Sequence, residues 1–167
     1  GGRGSLDWEA AAARFAALLA PCRDLAAARG VALSVETANL LNADIHIAHT
    51  LDDTIRLAEI ADLGVTIDLG ACWFEGALAD KFRRALPRTV LVQVSDYVLG
   101  DRSTPCRAVP GDGVVPLERQ IGQLLELGYD GVFDIELTGP RVVEEGHRAA
   151  FARAAENLSE ILVRLGA

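Results

Sequence analysis

Four residues able to hold a divalent metal close four short apolar runs. Glu36 ends SVE, Asp68 ends TID, Gln93 ends LVQ and Glu136 ends DIE. Carboxylate and carboxamide oxygens suit hard cations such as Mg²⁺ and Mn²⁺. Acids buried at strand ends are costly unless they are paired or metal-bound. Glu36, Asp68, Gln93 and Glu136 are therefore the candidate metal ligands. The plainer use of each acid is a helix cap or an arginine ion pair, and a lone strand Gln ordinarily just hydrogen-bonds.

Other side chains could complete a site. Trp73 follows Asp68 closely and offers an apolar wall for a sugar ring. Asp96 could bind substrate, orient Arg102 or start a turn. Arg102 and Arg107 could each bind an anionic or polyhydroxy substrate, or simply be solvated. His46 and His49 have the i, i+3 spacing of a metal pair, yet the only other histidine is the distant His147. His46 is thus read as a substrate contact or a surface residue, and His147 as an exposed helix residue. Cys72 lacks an evident base, which favours a buried structural thiol. The PGDG run from Pro110 to Gly113 is a turn before a helix, and alone is weak evidence for phosphate binding.

The elements that must position these residues alternate. Ser5 or Asp7 can cap a helix that runs to about Ala28, with Leu18, Leu19 and Leu25 on its buried stripe and Gly30 at its close. Pro21 should kink or split it. A strand VALSVE, a loop from Thr37 to Thr50 and a helix to about Ala61 follow. Gly64 leads into VTID, and GACWFEG reads as a loop. A helix from about Ala77 to Leu86 ends at Pro87, before the strand TVLVQV. The segment from Asp96 to Pro116 is a long irregular loop, a length that is usually functional or disordered. Leu117 to Leu127 is helical, GVFDIE is a strand, and a last helix runs from about Glu144 to Leu165.

The order is one helix and then four βα units in a single domain, residues 1–167. Near-continuous apolar strands alternating with helices imply a parallel sheet buried on both faces. Its strands point one way, so the four candidate ligands converge at one mouth. Four strands of an open doubly wound sheet would fit, and so would half of an eight-stranded barrel, which normally needs roughly 250 residues.

Bulk properties exclude some roles. The net charge of −8 argues against a nucleic-acid or membrane-surface partner. No run approaches the roughly 20 apolar residues of a membrane span. Three cysteines without CxxC spacing fit free thiols and a cytoplasmic location. The polar start GGRGSLDWEA shows no signal peptide, and without an initiator Met it reads as a processed or truncated end.

GYDGVFDIELTGPR, preceded by VPGDGVVPLERQIGQLLELG, resembles the end of the sugar phosphate isomerase/epimerase family, the xylose isomerase-like barrels of TIM type. SVE resembles that family's fifth strand, TIDLG its sixth, with an Asp ligand, and VLVQVSD its seventh. Most members carry a metal-binding His in the seventh strand, in a pattern like HxKD. Here the position is Gln93, similar to the QIAD pattern of hydroxypyruvate isomerase-like members, in which Gln is the ligand. The resemblance covers nearly the whole chain. It implies strands five to eight of a (β/α) barrel, with the missing half supplied by an N-terminal segment or by a second copy in a homo-oligomer. Many sugar epimerases have a substrate-binding His three residues after the strand-six Asp. Ala71 stands there in this chain, so the substrate does not carry over.

The resemblance and the ligands together imply a metal-dependent isomerase or epimerase of a small polyhydroxy or keto compound. Mn²⁺ or Mg²⁺ leads, with Co²⁺ and Zn²⁺ as further candidates. The expected route is an enediolate, with Glu36 and Glu136 removing and returning the proton next to the carbonyl. Asp96, Arg102, Trp73 and His46 are the expected substrate contacts. Alternatives are a lyase or dehydratase using the same intermediate, or a half-barrel that binds metal without turnover. A phosphodiester hydrolase of this fold needs a histidine-rich zinc cluster, against which three histidines and an acidic surface argue.

Overall fold

The computed structural model describes residues Gly2–Ala167. Helix α1 spans Trp8–Ala27, and the Asp7 side chain caps it by accepting the Ala10 N–H. Strand β1 is Ser34–Glu36, helix α2 Leu51–Ala61, strand β2 Gly64–Asp68 and the short helix α3 Leu69–Cys72. Helix α4 is Leu78–Ala85, strand β3 Thr89–Val94, helix α5 Leu117–Glu126 and strand β4 Phe133–Ile135. Helices α6, Pro140–Glu145, and α7, His147–Leu165, close the chain. None of the described helices is long and apolar enough to cross a membrane.

The sheet has four strands in the order β1-β2-β3-β4, every pair parallel. This is the sequential order of a βα barrel, which a doubly wound sheet lacks, because there the order reverses at a switch point. Glu36 pairs with Thr66, Asp68 with Gln93, and Gln93 with Asp134. The β2–β3 ladder is irregular: Val65 pairs with Thr89, but Thr66 pairs with Leu91, leaving Val90 as an extra residue in β3. Val35, Val65, Ile67, Val92 and Val94 are buried in the main core with α2, α4 and α5. The alternate residues share the other face, where the Ser34 and Thr66 hydroxyls meet at 2.8 Å.

Several expected boundaries move. Helix α1 passes through Pro21 as one element. Pro21 is exposed, where a carbonyl that loses its helical donor can be hydrated. Its packed stripe is Trp8, Ala11, Ala12, Phe15 and Leu19, whereas Leu18 and Leu25 are exposed. The real stripe relies on alanines, which carry a weaker hydrophobic signal than leucines. Helix α2 starts as expected, with Thr50 Oγ1 accepting the Asp53 N–H. The run after Asp68 is not all loop, since its first four residues form α3. The last helix is two helices, separated at Gly146, whose φ of 91° only glycine adopts readily. The first strand is only Ser34–Glu36, and Glu136 lies one residue past β4. Its N–H still continues the ladder, to the Val94 carbonyl.

The long loop after β3 is ordered from within. Asp96 and Ala108 form an antiparallel bridge. The Asp96 carboxylate accepts four main-chain N–H groups, from Tyr97, Gly111, Gly113 and Val115. Gly113 is required there, because a Cβ would strike the Tyr97 carbonyl and the Asp96 carboxylate. This returns residues 97–115 to the mouth of the sheet.

Candidate metal centre and substrate pocket

At the C-terminal ends of the strands, carboxylate oxygens of Glu36, Asp68 and Glu136 lie within 4.8 Å of one another. Asp68 is fully buried, and Glu36 and Glu136 are half-buried. Gln93 faces Glu36 and lowers its pKa, and its own Oε1 is buried without a hydrogen-bond partner. The four expected ligands are thus brought together from four strands. Burial and the facing Asp68 and Glu136 charges raise the Glu36 pKa to about 7, while Arg107 and Gln93 pull it down. Burial likewise raises Glu136, against the Arg107 charge.

Arg107 enters this cluster from the long loop. One guanidinium nitrogen touches both Asp68 Oδ2 and Glu136 Oε2, the latter at 3.0 Å. The other lies 3.0 Å from Asp68 Oδ1 and 3.2 Å from the Ser95 hydroxyl. Burial opposes the Arg107 charge, but Asp68 and Glu136 more than offset this and raise its pKa. The contact to Glu136 is one of charge alone, since Glu136 Oε2 has no partner of hydrogen-bond geometry. The arginine ion pair that competes with metal as a use for a buried acid is therefore realised at Asp68, by Arg107.

Above the cluster lies a cavity of about 500 Å³. Trp73 forms its apolar wall with Phe74 and Tyr97, ring centroids 5.9 and 6.0 Å from that of Trp73. The buried Gln120 amide donates to the Trp73 carbonyl at 3.3 Å. Two residues on, Glu75 accepts the Leu51 N–H at 2.8 Å and the Lys81 ammonium at 2.7 Å, fixing the α3–α4 loop to the start of α2 and to α4. His46 lines the cavity, and burial and the neighbouring His49 lower its pKa. Arg102 sits exposed at the rim. Asp96 also borders the cavity, but its oxygens are taken by the loop amides, and it makes no ion pair with Arg102 among the described residues. The turn-forming use of Asp96 is the one seen, in place of an Arg102 orienter. Cys72 is fully buried, as a structural thiol should be, and His147 is exposed.

Arg107 is the residue whose place the sequence does not single out. Three clustered acids, one of them fully buried, call for a cation, yet Arg102 and Arg107 are equivalent candidates until the Asp96–Ala108 bridge sets the loop. Ser95, which shares the Arg107 guanidinium with Asp68, and Gly70, which leaves room for it, carry no chemical signal of their own.

Residues 1–161 match the xylose isomerase-like TIM barrel family, and the chain belongs to that family. Among solved structures it is similar to a protein of Sinorhizobium meliloti 1021, at 23% identity and a TM-score of 0.84, covering 96% of this chain and 62% of that one. It is also similar to the IolI protein with a bound zinc atom, at 16% identity and a TM-score of 0.81, over 98% and 60% of the two chains. A third is D-psicose 3-epimerase from Clostridium cellulolyticum H10 with D-tagatose, at 18% identity and a TM-score of 0.72, over 96% and 58%. The chain therefore spans about three fifths of the length of these structures. None of the curated protein sequences matches it.

Proposed function

We propose that this chain carries the metal-binding half of a sugar or keto-compound isomerase or epimerase. The observation that supports this most is the convergence of Glu36, Asp68 and Glu136 oxygens within 4.8 Å at the floor of a cavity. The residues fit a divalent cation. Three carboxylates face a single guanidinium, and the carbonyl oxygen of Gln93 and one oxygen of Glu136 are buried without hydrogen-bond partners. An all-oxygen donor set suits Mn²⁺ or Mg²⁺. The similarity to a zinc-bound structure keeps Zn²⁺ and Co²⁺ in view.

Glu36, Asp68, Gln93 and Glu136 would hold the ion, which would supply Lewis-acid polarisation of a substrate carbonyl. The chain's own residues do the rest. Trp73, Phe74 and Tyr97 pack one face of the substrate, and His46 and Arg102 meet its polar groups at the rim. Glu36 and Glu136 come from opposite edges of the sheet. One removes the proton next to the carbonyl and the other returns it, through an enediolate. Asp68 is buried and acts as a ligand only. The test is solvent deuterium incorporation into candidate ketoses and hydroxypyruvate, with and without added Mn²⁺. Metal-dependent exchange supports an isomerase. Metal binding with no exchange in any of these compounds rejects it in favour of a non-catalytic site.

A further inference from the structure

We propose that Arg107 is a built-in occupant of the acid cluster that exchanges with the divalent cation, so that loading the metal and releasing Arg107 into the substrate cavity are one event. This rests on the metal reading of the cluster given above. Its basis is where the guanidinium sits. One nitrogen touches Asp68 Oδ2 and Glu136 Oε2, two of the oxygens a cation would need. A cation on those oxygens would meet a guanidinium at contact distance in a mostly buried site, where like charges repel strongly.

The second nitrogen is held by Asp68 Oδ1 and the Ser95 hydroxyl. That berth exists because residue 70 is glycine. A Cβ on Gly70 would overlap both the guanidinium and the Ser95 hydroxyl. Gly70 lies in α3 with no positive φ, so its backbone does not demand glycine; the space it leaves does.

The occupant is also imperfect, as an exchangeable one must be. It contributes charge to Glu136 Oε2 without hydrogen-bond geometry and leaves Gln93 Oε1 without a partner. A spherical ion can be reached by all of these oxygens at once, whereas a planar fork serves mainly Asp68. Arg107 already borders the cavity beside Cys106 and Thr138, so a change of its rotamer carries the charge to where substrate would lie. The loop that bears it anchors its main chain elsewhere, through the Asp96–Ala108 bridge and the Arg107 N–H to the Thr138 carbonyl.

Gly70→Ala separates occlusion from simple electrostatics, because it evicts the guanidinium without altering any charge. Titration calorimetry with Mn²⁺ should show Gly70→Ala and Arg107→Ala binding about tenfold more tightly than the wild type. Methylguanidine at millimolar concentration should compete with Mn²⁺ in Arg107→Ala and leave the wild-type affinity unchanged. Equal or weaker Mn²⁺ binding in both variants overturns the exchange. No Mn²⁺ binding by any of the three proteins removes the metal reading itself. Should both variants fail to fold, Cys22→Ser leaves Cys106 as the accessible thiol, since Cys72 is buried. Its reaction rate with a thiol reagent should change on adding Mn²⁺, and a rate that stays constant across a confirmed binding titration overturns the proposal.

Discussion

The Asp96 carboxylate accepts the Val115 N–H at 2.9 Å, across 19 residues of chain. The same carboxylate gathers three further amides, so a single side chain closes the loop that delivers Arg107 to the cluster. Asp96→Ala should leave these buried donors without their shared acceptor. The expected cost is about 3 kcal/mol, seen as a Tm lowered by about 10 °C. Limited proteolysis should cut first between residues 97 and 115. A variant that melts like the wild type would show that the bridge to Ala108 suffices.

The acid cluster predicts its own stoichiometry. Protein purified without chelator should carry about one divalent ion per chain by elemental analysis. Glu136→Gln should weaken Mn²⁺ binding on the order of 10²-fold, as loss of a direct ligand removes at least what outer contacts contribute. Unchanged occupancy in that variant would remove Glu136 from the site.

Proton transfer should separate the acids by role. At saturating Mn²⁺, Glu36→Gln and Glu136→Gln are each expected to slow exchange next to the substrate carbonyl by about 10²-fold, the scale of a general base. Asp68→Asn should act through metal loss and recover in part with excess Mn²⁺. Wild-type exchange rates in both Glu variants would refute the acid–base assignment.

The pKa of Glu36 gives a pH dependence with a definite sign. Its folded value of about 7 exceeds the ordinary 4.5, so between these limits the folded state holds more proton than the unfolded. The stabilisation is complete below about pH 4.5 and is lost as pH rises through about 7. Glu36 is partly exposed, so screening reduces the effect to roughly a few degrees of Tm. Chelator-treated protein should therefore melt lower at pH 7.5 than at pH 5, and Glu36→Gln should flatten that slope. A slope as steep in Glu36→Gln as in the wild type would place the titration elsewhere.

The two outer strands, β1 and β4, have unpaired edges among the described residues. Open edges invite pairing. This chain alone is expected to associate, either with a second copy or with a further βα segment supplied in trans. Sedimentation showing a well-behaved monomer across a wide concentration range would contradict that.

The convergence of Glu36, Asp68, Gln93 and Glu136 was legible in the sequence because each lies at or near the C-terminal end of a mostly apolar strand, and parallel topology sends all four to one mouth. Trp73 and His46 reach the cavity for the same reason: each lies within a loop that leaves that end. Boundaries were less legible. Glycine at 146 splits the last helix through its backbone, and alanines rather than leucines form the packed stripe of α1. Arg107 was the hardest. Its pairing with Asp68 spans 39 residues and depends on a loop fold set by Asp96, which no local pattern encodes.

Val90 offers nothing chemical, yet it decides which way Gln93 looks. Were Val90 paired with Thr66 rather than left as the odd residue in β3, the pairing of Val65 with Thr89 would continue in step and set Asp68 beside Val92. Paired residues share a face, so Val92 would then turn toward the acids and Gln93 toward the helices. Pairing Val90 in step would thus turn the Gln93 carboxamide away from the acids without changing a single residue of the sequence. Parity of counting along a strand, as much as the identity of any side chain, specifies this centre.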